Sequence, residues 1–136
     1  MVYFKHKVDI LIREVLHILA YVKDYSLDNL KNKLIILYVL NVTDIVLTLL
    51  LLDTGYYIEA NFLMTTAVQS YTASFCLKIL LPAILLLYVF FRLKSANERQ
   101  LRNSNIMISG ITVVYAFINL SHLVWVSLLP LFIMNG

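Results

Sequence analysis

Apolar residues fill three long stretches of this chain almost without interruption, at about 34–52, 71–91 and 106–129. Each is close to the ~20 apolar residues that cross the hydrocarbon core of a bilayer as a helix. Backbone polar groups in hydrocarbon must be satisfied within the segment or in a closed barrel, and three segments cannot close a barrel. The pattern predicts three transmembrane helices. Ahead of them the period changes: Val8, Leu11, Ile12, Val15, Leu19 and Val22 recur at the spacing of one helical face, with Asp9, Arg13, His17 and Asp24 opposite. Asp9, Arg13 and Glu14 argue against a fourth span, and Arg13, Glu14 and His17 interrupt any signal-peptide core. This segment reads as an amphipathic helix lying in the headgroup region, or as one docked on a partner protein. The expected fold class is an all-α integral membrane protein, with an amphipathic interfacial helix over 1–25 and a three-helix transmembrane domain over 26–136.

Composition agrees. Hydrophobic residues make up 61% and charged residues 14%, against ~45–50% and ~25% in soluble domains. Those values exclude an ordinary soluble domain, and disorder as well. The single cysteine, Cys76, excludes a disulfide scaffold or a C-x-x-C redox pair within one chain, and it reads as a small packing residue. No phosphate-binding G-x-x-x-x-G-K-[ST] loop, H-E-x-x-H or G-x-S-x-G is present. No metal site and no cofactor is expected.

Charge supplies an orientation. All the Lys and Arg residues except Lys78 fall in two blocks, Lys5 to Lys33 and Arg92 to Arg102. The 53–70 loop holds Asp53 and Glu59 and no basic residue, and Pro130 to Gly136 carries no charged side chain. Basic loops stay on the cytoplasmic side, so the expected arrangement is a cell-membrane protein with its N-terminus inside and its C-terminus outside. Basic residues clustered beside spans point to a lipid bilayer as partner, and not to nucleic acid.

Several residues do not suit a membrane interior. Asn41, Asp44 and Thr48 share one face of the first span, Ser74, Lys78 and Pro82 one face of the second, and Thr112, Ala116, Asn119 and His122 one face of the third. Counted inward from the outer ends at 1.5 Å per residue, Asp44, Lys78 and His122 lie roughly 12, 10 and 10 Å deep, and Asn119 roughly 15 Å. Leaving an Asp or Lys unpaired at a helix centre costs about 2.5–3.5 kcal/mol, so Asp44 and Lys78 are expected to face each other. Such a pair either fixes helix register or forms a polar site for an ion, a proton or a headgroup. Pro82 lacks the N–H that would bond the Lys78 carbonyl, so a backbone acceptor is freed beside that lysine. His122 reads as a packing histidine, a proton relay or a ligand. In the outer loop, Glu59 and Asn61 are candidates for weak cation binding or for a solvated acidic turn.

Taken in order, Asn41-x-x-Asp44-x-x-x-Thr48, Gly55, Glu59-Ala60-Asn61 and Lys78 resemble an uncharacterised family of small prokaryotic multi-span membrane proteins. Its pattern is N-x-x-D-x-x-x-T, a turn glycine, E-x-N-P and a lysine in the next span. The resemblance covers roughly 38–129, and Phe62 stands where the pattern has proline. It implies a multi-span architecture and assigns no activity. The residues themselves favour an accessory or assembly subunit or an oligomeric scaffold, with a buried Asp44–Lys78–His122 polar cluster in the outer half of the membrane, associated with other copies of itself or with other membrane subunits. The alternative is an ion, proton or polar-ligand binding or transport module working as a homo-oligomer. An intramembrane enzyme comes third, since no nucleophile with an adjacent base can be assigned.

Overall fold

The computed structural model describes residues 2–57, 72 and 75–135. They form four helices: α1 (Val2–Lys23), α2 (Leu27–Asp53), α3 (Leu81–Leu93), which continues a π-helical turn at Cys76–Leu80, and α4 (Glu98–Asn135). No strand occurs among the described residues. Leu27–Asp53, Cys76–Leu93 and Glu98–Leu131 are long and apolar enough to cross a membrane. The all-α architecture of three such helices behind an N-terminal helix is therefore as the hydropathy pattern predicts.

Two of the helices start well before their apolar runs, and local capping explains both. Ser26 Oγ accepts from the Asn29 amide at 3.4 Å, and Asp28 places negative charge in the first turn of α2. The Ser26 amide in turn donates to Asp24 Oδ1 at 2.9 Å, which holds the Asp24 carboxyl below its ordinary pKa. At α4, the Asn97 amide donates to Gln100 Oε1 (3.1 Å) and the Gln100 amide to Asn97 Oδ1 (2.9 Å), a reciprocal capping box. The end of α2 is set by Gly55, whose φ of 73° is in the left-handed region that glycine enters without strain.

Packing places α2 at the centre. Tyr115 and His122 of α4 meet Asn41 and Asp44 of α2 in the same order, so these two helices run parallel. α3 runs the other way: Leu30 and Leu34 meet its far end around Leu86, Val89, Phe90 and Leu93, while Asn41 meets Lys78. Leu30, Leu34, Leu93 and Ile108 form a small buried core near the start of α2. Further along the spans, lipid tails are as apolar as leucine, so burial no longer drives helices together. Polar contacts take over there.

α1 stands apart. All its described side chains from His6 to Lys23 are exposed, and Leu11 of the apolar face is 67% accessible. Nothing among the described residues covers that face. The attachment is at its C-terminal end, through the buried Lys33.

Candidate intramembrane polar site

The polar residues lie along one seam. On α2 the positions Leu30, Leu34, Leu37, Asn41, Asp44, Thr48 and Leu51 alternate by four and three residues. On α4 the positions Asn105, Ile108, Thr112, Tyr115, Asn119 and His122 alternate by three and four. That spacing keeps one stripe of each helix turned toward a neighbour running alongside. Polar groups thus enter the seam at three levels.

At the first level Lys33, only 4% exposed, reaches back to the end of α1. Its Nζ donates to the Val22 and Asp24 carbonyls, both at 3.0 Å, and to Asn105 Oδ1. Asn105 Nδ2 donates to the same Val22 carbonyl at 2.8 Å, and Asn29 Nδ2 donates to the Tyr21 and Asp24 carbonyls at 2.9 Å. The last carbonyls of a helix have no partner within it. Here one ammonium and two amides on α2 and α4 supply the donors, and the positive charge suits the C-terminal end of the helix dipole.

At the second level Asn41, buried, donates from Nδ2 to the Lys78 carbonyl at 2.8 Å and accepts at Oδ1 from the Tyr115 hydroxyl at 3.3 Å. The acceptor that Pro82 leaves without its usual donor is therefore bonded by a side chain of another span. The Leu81 amide bonds five residues back to Cys76, which forms the π-helical turn around that carbonyl. Asn119, also buried, donates from Nδ2 to the Leu40 carbonyl (3.0 Å) and the Tyr115 carbonyl (2.8 Å), while its Oδ1 has no partner among the described residues.

At the third level His122 Nε2 lies 2.9 Å from Asp44 Oδ1, with Thr48 Oγ1 3.4 Å from the same nitrogen. An ionised carboxylate only accepts, so Nε2 carries a proton in this pair. The two side chains are 23% and 25% exposed, so the pair is open at one side. Just beyond it, the Tyr57 ring meets Trp125 edge-on at 6.0 Å, and the Tyr57 hydroxyl donates to the Trp125 carbonyl at 3.4 Å.

Asn41, Asp44, Thr48, Asn119 and His122 therefore converge, and Lys78 joins through its backbone. The partner of Asp44 is His122 and not the Lys78 expected from the depth count. The Lys78 carbonyl is level with Asn41, about 4.5 Å along the helix from Asp44. Thr112 bonds within α4, to the Ile108 carbonyl at 2.8 Å. Cys76 is exposed and is not the packing residue expected. Ser74, Glu59 and Asn61 lie outside the described residues.

Sequence reasoning missed Lys33, Asn105 and Tyr115 as members of the seam. A signal was available for Lys33, which precedes Leu37 and Asn41 by four and eight residues on the same face. Reading it only as a flanking basic residue hid that.

The π-helical turn makes a double substitution informative. Asn41→Leu should destabilise the bundle by about 1–2 kcal/mol, the scale of interhelical hydrogen bonds in membranes. Pro82→Ala restores an N–H for the Lys78 carbonyl, so Asn41→Leu should cost less in that background. Denaturation in mild detergent measures both; equal costs in the two backgrounds would disprove the link.

A central helix flanked by one parallel and one antiparallel helix, all apolar outside and polar along one inner seam, defines a three-span helical membrane architecture. The chain belongs to the family described as a domain of unknown function (DUF5658), whose match spans residues 35–128 and so more than half of the chain. That stretch holds the Asn41–His122 seam and leaves out α1 and Lys33. No curated protein and no solved structure matches the chain.

Proposed function

We propose that this protein is an accessory or assembly subunit of the cell membrane, with its N-terminus in the cytoplasm and its C-terminus outside. The observation that carries this reading is where the seam's amides point. Asn41 and Asn119 bond backbone carbonyls of neighbouring spans, which holds helices in register. α1, uncovered and amphipathic, then lies on the cytoplasmic membrane surface or against another subunit. Mass measurement of the protein purified in mild detergent tests the role: a second polypeptide at fixed ratio is expected, and a homo-oligomer alone would overturn it. Orientation is tested separately. In a Cys76→Ala background, Ser95→Cys should be protected from an impermeant thiol reagent in intact cells, and labelling there would reverse the topology.

A second reading rests on the Asp44–His122 pair. It is a quarter exposed, unlike the buried amides, and joins a proton acceptor to a titratable ring. Those properties suit proton or ion binding within a homo-oligomer.

A further inference from the structure

Between α2 and α3 runs a groove of about 290 Å³, near the small end of the ~300–1,000 Å³ typical of small-molecule sites. Leu34, Ile35 and Tyr38 form one wall, and Ala83, Leu86 and Phe90 the other. Lys31 stands at one end, the only charged group among the described lining residues, just before the apolar run of α2 begins. It is exposed and has no hydrogen-bond or ion-pair partner among the described residues. Because α3 is antiparallel to α2, Phe90 and Lys94 come to this same end. The Lys94 ammonium lies 5.0 Å from the Phe90 ring centre and 5.1 Å from that of Phe91.

Apolar walls with positive charge at one end only match a ligand with a hydrocarbon chain and an anionic head. A water-soluble anion would leave the walls unused. We propose that this groove holds one acyl chain of an anionic phospholipid, with its phosphate on Lys31 and Lys94 as a second cation at the same end. Basic pockets between transmembrane helices near a membrane surface recognise headgroups in this way. The site does not depend on the subunit role proposed above.

Native mass spectrometry of the purified full chain tests it, with dioleoyl phosphatidylglycerol and dioleoyl phosphatidylcholine as probes of equal chain length. The wild type should retain the anionic lipid in preference. Lys31→Gln and Lys94→Gln should each lower that preference about fivefold, the attraction of one basic residue for anionic lipid at a membrane surface. Lys23→Gln, on the exposed end of α1, should leave it unchanged. Ala83→Trp, or Ile35→Trp on the opposite wall, should reduce retention of both lipids while helical circular dichroism is kept. Equal losses from Lys23→Gln and Lys31→Gln would show surface charge alone and overturn the site. So would undiminished retention in both folded tryptophan variants. A lipid-free dimer that either tryptophan abolishes would assign the groove to a second copy instead.

Discussion

Lys33→Met should loosen the C-terminal end of α1 on the bundle and leave the three apolar helices folded. The ammonium donates to the Val22 and Asp24 carbonyls and to Asn105 Oδ1, and methionine of similar length donates nothing. The Val22 and Asp24 carbonyls keep the Asn105 and Asn29 amides as donors, so Asn105 Oδ1 alone is left buried without one, at about 1–3 kcal/mol. The Asn29 and Asn105 amides still bond the Tyr21, Asp24 and Val22 carbonyls, so the end of α1 loosens and does not come free. Hydrogen exchange of the amides around 20–26 should accelerate strongly, with those of α2 and α4 little changed. Lys31→Met, two residues away and outside this network, serves as the control. Unchanged protection in Lys33→Met would mean that the lysine does not hold the helix.

His122→Leu should destabilise the protein far more than Asp44→Leu, although the two residues share one contact. Removing the histidine leaves a carboxylate without its partner in the membrane, at about 2.5–3.5 kcal/mol. Removing the aspartate leaves a ring that can be neutral, and the loss is closer to the ~1–2 kcal/mol of an interhelical hydrogen bond. The double variant should recover much of the stability lost in His122→Leu, since no lone charge remains. Unfolding in mild detergent measures all three. Equal losses in the single variants would show that the carboxylate is already compensated by another group. The same double variant separates the two functional readings: kept partner association makes the pair architectural, while a folded protein that loses proton or ion binding makes it a site.

The hydropathy pattern was enough to place the spans, because hydrocarbon leaves an apolar stretch no alternative to a helix. Asn41, Asp44 and Thr48 were legible as one stripe because helical spacing is a property of the chain alone. That the Lys78 carbonyl loses its usual helical donor was legible too, since the missing N–H of Pro82 is covalent chemistry and holds in any packing.

What no sequence pattern supplied was the partner of each polar group. Whether Asp44 meets Lys78 or His122 depends on how far the helices slide past one another. Depth counted from span ends carries an error of a few residues, and three residues shift the level by about 4.5 Å, enough to exchange partners. Lys33 shows the same limit more sharply. By sequence it is one basic residue among several at a membrane edge, and such residues are ordinarily solvated. It is buried because α1 ends against α2 and α4, bringing the Val22 and Asp24 carbonyls and Asn105 to one ammonium. Local spacing decided which face each side chain occupies, and only the packing of distant segments decided what it meets there.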